Sequence, residues 1–127
     1  MNTDLNLITE KIIGCSHKVG NALGCGFLEK VYANALVHEL RKAGFAVEQQ
    51  KPIDVYYDGI VVGEYFADIV VNGQVIIELK AQRHVEEIHS AQCINYLTAT
   101  GIPLCLLINF WGKVEVKRFA GRAHQPS

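Results

Sequence analysis

The chemistry-bearing stretch of this sequence runs from Asp68 to Lys80. Glu78 and Lys80 are two residues apart in VIIELK, so on a strand both side chains point to one face. The rest of that strand is apolar, and burying a carboxylate and an ammonium there is costly unless they pair or bind something. Asp68 lies on the preceding strand, across the turn signal Asn72-Gly73. If Asp68 and Glu78 share a face, two hard oxygen donors and a cation converge, a set suited to Mg2+ or Mn2+. Such an ion would activate water and neutralise charge on a phosphodiester, and Lys80 would orient that water or stabilise the phosphorane. The plainer reading is a Glu78–Lys80 ion pair beside an exposed Asp68.

Register decides between them. A strict two-residue turn at Asn72-Gly73 pairs Asp68 with Ile77 and turns Glu78 away. A G1 bulge at Gly73 pairs Asp68 with Ile76 and makes Asp68 and Glu78 diagonal neighbours. The metal site requires that bulge or another register shift of odd size.

Two helices offer further groups. Glu29 falls in the first turn of the second helix, where a carboxylate complements the helix dipole or serves as a further ligand. Tyr32 lies one turn on, along the same side. In the third helix His89, Gln92 and Tyr96 recur at i, i+3 and i+7 and share a face. That stripe is either solvated or turned to the site, with Ile88, Ala91 and Leu97 left for the core. Arg83 and His84 stand at the corner after Lys80, where they could contact phosphate. His17 and His38 read as ordinary helix residues.

The elements that must position these groups follow from periodicity. Leu5, Ile8, Ile12, Cys15, Val19 and Leu23 predict a helix over 5–23. Leu28, Val31, Ala35, Leu36 and Leu40 predict a second over 28–43, capped by Gly44. Strands are expected over 46–57, with Pro52 marking an edge, and over 60–71, joined by Asp58-Gly59. A central strand over 74–81 follows, then a helix over 85–99, a buried strand over 104–110 and a last strand over 113–119. The order is ααβββαββ. Strands three and four flank a helix and should be parallel, and the first three should form an antiparallel meander. An α/β mixed sheet with helices on its faces results.

Composition fits one domain of 127 residues, half of them apolar. Net charge is −1, with −3 over residues 1–70 and +2 over 71–127. That excludes the strongly basic profile of a protein that coats DNA by bulk charge, although not a local basic groove. The excess near Lys113, Lys117, Arg118 and Arg122 reads as a solvated tail. Leaving out Glu29, Asp68 and Glu78, whose charge a bound ion would partly offset, turns the sum to +2. No run approaches the roughly 18–20 apolar residues of a bilayer span, and the N-terminus lacks signal-peptide features, so the cytoplasm is expected. Cys15, Cys25, Cys93 and Cys105 contain no CxxC pair and read as buried free thiols.

The run Gly26-Phe27-Leu28-Glu29-Lys30-Val31-Tyr32 resembles the signature of the GxxExxY protein family. Leu23-Gly24-Cys25-Gly26, Glu39-Leu40, Tyr57-Asp58-Gly59, Glu78-Leu79-Lys80-Ala81 and Leu107-Ile108-Asn109-Phe110 extend the resemblance over about 8–119. That family is similar to the PD-(D/E)xK nuclease superfamily, which implies a restriction-endonuclease-like fold. On this reading residues 1–127 form one nuclease-like domain, with 120–127 a disordered tail that holds His124. The resemblance implies Asp68, Glu78 and Lys80 as the catalytic set and Glu29 as a helix carboxylate. Gln92 to Tyr96 resembles the QxxxY motif of RecB-like exonucleases. Relatives carry a histidine where this chain has Gly20, with His17 the nearest stand-in. The cysteine arrangement of iron–sulfur RecB-like enzymes is absent, and no cluster is expected.

The expected activity is therefore a Mg2+- or Mn2+-dependent nuclease. Asp68, Glu78 and the Leu79 backbone carbonyl hold the ion, with Glu29 as a further candidate ligand, and Lys80 aids water activation. Tyr32, Arg83, His89, Gln92 and Tyr96 position substrate. DNA is the first expected partner and RNA the second, with a homodimer or protein partner supplying further surface, and no membrane. The alternatives are a non-catalytic module that keeps the fold and binds nucleic acid or protein, and a hydrolase of another phosphoester.

Overall fold

The computed structural model describes residues 2–121. Helices α1 (Asn2–Leu23) and α2 (Glu29–Lys42) precede strands β1 (Val47–Tyr57), β2 (Ile60–Val71) and β3 (Val75–Lys80). Helix α3 (Glu87–Thr100) leads to β4 (Leu104–Asn109) and β5 (Glu115–Ala120). The ααβββαββ order is as expected, with boundaries moved by a few residues. Ala120 closes β5 and the Gly121 N–H donates to the Pro103 carbonyl at 2.7 Å, so the ordered chain runs past the expected start of the tail. Arg122 and His124 lie outside the described residues. Among the described residues no helix is long and apolar enough to cross a membrane.

The five strands line up as β1-β2-β3-β4-β5. Only β3 and β4 are parallel, with α3 as their crossover, and β1–β2, β2–β3 and β4–β5 are antiparallel. The central β3 is buried on both faces apart from Lys80, as a covered parallel pair requires. Pro52 lies on β1, an edge strand, as its missing N–H demands.

Helices α1 and α2 cover one sheet face, where Ile12, Val19, Tyr32 and Leu36 pack on Ile69, Ile77, Leu79 and Ile108. Helix α3 covers the other, where Cys93, Tyr96 and Leu97 meet Ala67, Val70, Ile76 and Leu107. The α1 stripe is the expected one, with Thr9 and Ser16 also buried but bonded to carbonyls within the helix.

Two helix faces are corrected. On α2, Leu28 is 80% and Val31 38% exposed, while Tyr32, Ala33 and Val37 join Leu36 and Leu40 inside. Tyr32 wins the inward position because its ring stacks on Phe110 at 4.9 Å. On α3, Ile88 and Ala91 face solvent and only Leu97 of the expected trio is buried. The stripe of His89, Gln92 and Tyr96 instead turns toward the sheet, because Cys93 and Tyr96 fill the layer over Ile76 and Cys105. All four cysteines are free. Cys93 and Cys105 are buried, but Cys15 is only half-buried and Cys25 is exposed, because the Gly24–Gly26 turn carries Cys25 off the helix.

Candidate functional site

The β2–β3 ladder pairs Val71 with Val75, Val70 with Ile76 and Ile69 with Ile77, and ends there. The connection is thus Asn72-Gly73-Gln74, one residue longer than the strict turn, with the Gln74 N–H donating to the Val71 carbonyl at 2.9 Å. This is the odd shift that the metal reading needs, although not the bulge that pairs Asp68 with Ile76. The next pair in this register is Asp68 opposite Glu78.

At that point the strands part. The Asp68 N–H donates to Glu78 Oε1 at 3.2 Å, and the Leu79 N–H donates to Asp68 Oδ2 at 2.8 Å. Side-chain oxygens have replaced the carbonyls of a continued ladder. Strand β2 is also irregular here. Ala67 and Val70 join the α3-side core while Ile69 and Val71 join the other, so the alternation slips across Asp68. Opposite it, Gln50 has φ of 54°, and its Nε2 donates to Asp68 Oδ1 at 3.4 Å.

The far end of β3 is fixed from β4. Asn109, buried, accepts the Gln82 N–H and donates to the Gln82 carbonyl at 2.8 Å. The Phe110 N–H donates to the Lys80 carbonyl at 2.8 Å. Asn109 was not singled out as a site-shaping residue, yet it is the one polar residue of LCLLIN. Gln50 and Tyr65 were missed too, and the sequence carries no comparable sign of them.

Two depressions flank this opening, one on each side of β3. Glu29, Lys30, Gln49, Gln50, Asp68 and Leu79 line a cavity of about 330 Å3 beside α2. Lys80, Tyr65, His89, Gln92 and Tyr96 line a groove of about 800 Å3 beside α3. Glu78, only 4% exposed, lies between them. Burial pushes its carboxyl up to about 8, helped by the negative charges of Asp68 and Glu29 and opposed by the hydrogen bond from the Asp68 N–H and by Lys80. Burial beside Glu78 pushes the Tyr96 hydroxyl up to about 12. Among the described residues Lys80 makes no direct ion pair with Glu78, although its charge still acts on the Glu78 carboxyl. Nor do three His, Cys, Asp or Glu side chains among them form a ready-made cage.

The other expected residues divide. Gln92 Nε2 donates to the Tyr96 hydroxyl at 2.8 Å. His89 accepts the Glu86 N–H at Nδ1, 3.1 Å, as part of the α3 capping box, which leaves its proton on Nε2. Tyr32 is a correction. It is wholly buried, and its hydroxyl donates to the Gly24 carbonyl at 2.6 Å, so it braces the Gly24–Phe27 turn and cannot touch substrate. Arg83 is exposed, with its guanidinium 5.9 Å from the Trp111 ring, and it lines a separate depression with His84 and Glu115. His17 is exposed on α1 and lines neither depression. At Gly20 a side chain would crowd Val114, since an added Cβ would overlap the Val114 Cγ2 and require that side chain to shift.

Comparison with known proteins adds a family. A family model described as the PD-(D/E)XK nuclease superfamily matches residues 6–119. No curated protein and no solved structure gives a significant match.

Proposed function

Because the chain belongs to the PD-(D/E)XK nuclease superfamily, we propose that it is a metal-dependent nuclease that hydrolyses phosphodiester bonds in DNA. Within the superfamily we group it with the GxxExxY proteins, on the run Gly26 to Tyr32. The observation that carries the reading is the pair of carboxylates that fill the gap where β2 and β3 part, Glu78 on the Asp68 N–H and Asp68 on the Leu79 N–H, with Lys80 next along β3.

The donor set suits Mg2+ or Mn2+, which bind through one or two carboxylates and keep several waters. Asp68 and Glu78 would hold the ion. The Leu79 carbonyl points to the same strand edge as its N–H, which is already bonded to Asp68, and would be the third donor. Glu29 lines the smaller cavity together with Asp68 and would hold an outer water. A divalent ion bound there supplies charge neutralisation at the phosphate and acidifies water.

The remaining work falls to the chain. Lys80 presents its ammonium to the larger groove, to orient water or steady the charge that builds on the phosphate. Gln92 and Tyr96, linked by their own hydrogen bond, and the Nε2–H of His89 position the strand. A cytoplasmic setting fits four free thiols.

The test uses single- and double-stranded DNA and RNA with Mg2+ or Mn2+, beside Asp68→Asn and Lys80→Ala. We expect cleavage by the wild type and a loss of roughly 100-fold or more in both variants. Absence of cleavage on all four substrates by folded protein refutes the reading, as does full activity in Asp68→Asn.

A further inference from the structure

The β1–β2 hairpin outruns the sheet. Its ladder continues to Tyr57 opposite Ile60, whereas β2 leaves β3 after Ile69. From about Lys51 to Ala67 the hairpin is therefore a two-stranded arm with no third strand beside it. An isolated two-stranded ribbon is marginal in water, and this one leans on α3. The Tyr65 ring lies 5.8 Å from that of Tyr96, tilted by 53°.

The groove of about 800 Å3 runs between the arm and α3. Its arm side carries Tyr56, 63% exposed, and Tyr65, 49% exposed. Its helix side carries Gln92 and Asn95 beside the apolar Ile88, Ala91 and Ala99, and Lys80, two residues from Glu78 on β3, also lines it. Lys80 is the one Lys or Arg among its lining residues. A duplex is gripped mainly by many basic contacts to its phosphates, which this groove does not offer. Aromatic faces, amides and one cation instead match an unpaired strand, whose bases stack on rings and expose their edges to amides.

We infer that this groove binds single-stranded nucleic acid, with bases stacked on Tyr56 and Tyr65, and leads the strand past Lys80 to the carboxylates. Only the last clause rests on the nuclease reading. A protein ligand is disfavoured by the groove's continuity with Lys80 and Tyr96, which border the buried Glu78.

The probes are fluorescein-labelled dT12, rU12 and a 12-base-pair duplex, titrated with the full chain in EDTA and read by anisotropy. We expect a single strand to bind roughly tenfold or more tightly than the duplex, and Tyr56→Ala and Tyr65→Ala each to weaken it by about tenfold. Tyr56→Phe and Tyr65→Phe keep the ring and should bind as the wild type. The dT12 and rU12 arms tell DNA from RNA. Equal or tighter duplex binding overturns the inference, as do alanine variants that melt like the wild type and still bind fully. So does a dimer that Tyr56→Ala splits without affecting the strand, which would make the arm a self-association surface. Single-strand preference without cleavage in Mn2+ defeats the nuclease reading and leaves the groove. Duplex cleavage with binding untouched in both alanine variants defeats the groove and leaves the nuclease.

Discussion

Glu78→Gln should abolish a steep fall in stability between mildly acidic and alkaline pH. The Glu78 carboxyl is 4% exposed and is raised from 4.5 to about 8, first by burial and then by the charges of Asp68 and Glu29. Between those values the folded chain keeps a proton that the unfolded chain has released. The contribution is thus fully present below about pH 4.5, declines as pH rises, and is lost above about 8. At about 1.4 kcal/mol per pH unit, the whole window amounts to on the order of 5 kcal/mol. That is a large part of the roughly 5–15 kcal/mol holding a domain together. Glutamine keeps the shape and the Oε1 acceptor for the Asp68 N–H but cannot ionise. Urea unfolding in EDTA at steps from pH 5 to 9, followed by Trp111 fluorescence, measures both proteins. The difference between the two isolates Glu78 together with its coupling to its neighbours. The wild type should lose several kcal/mol across the series, and the variant should stay nearly flat and be the more stable at pH 9. Parallel curves would refute the claim that Glu78 is buried against its neighbours' charge.

Three further outcomes are expected. Millimolar Mn2+ or Mg2+ should raise the wild-type melting temperature at pH 8 and less so at pH 5, where protons compete for the same oxygens; Asp68→Asn should lose the shift. Gly20→Ala should cost about 1–3 kcal/mol by overpacking against Val114, and Val114→Ala in the same chain should recover part of it in denaturation experiments. Tyr32→Phe should cost about 1–2 kcal/mol, because the Gly24 carbonyl loses its donor, while leaving cleavage per folded molecule unchanged.

Much of this molecule is legible in its residues, and the limits are physical. Asp58-Gly59 and Asn72-Gly73 take up the left-handed conformations that they advertise, so the meander is written locally. The VIIELK and LCLLIN runs announce a buried parallel pair. The facing of helices is less local. Tyr32 and Tyr96 turn inward because each meets a ring across the fold, Phe110 or Tyr65, partners that lie far away in the chain. Hence a polar stripe of α3 that reads as solvated is in fact half packed. The register of β2 on β3 turns on whether Gln74 joins the ladder, which residue types leave open by one position. The slip at Asp68 depends on Gln50 at positive φ, where no glycine gives warning.

That slip explains why the site sits where it does. Parting two strands normally orphans backbone N–H groups, at a cost of about 1–3 kcal/mol each when buried. Here the Asp68 and Leu79 N–H groups are satisfied by Glu78 and Asp68 carboxylate oxygens. The acidic pair therefore lets the sheet open as well as occupying the opening. The two roles come apart by choice of substitution. Asp68→Asn keeps an oxygen for the Leu79 N–H and removes the charge, so it tests the chemistry. Asp68→Ala removes both, and should add about 1–3 kcal/mol of lost stability to any loss of activity. If the two variants unfold at the same urea concentration, the carboxylate is not what holds the strands apart, and the opening must come from the β1–β2 arm alone.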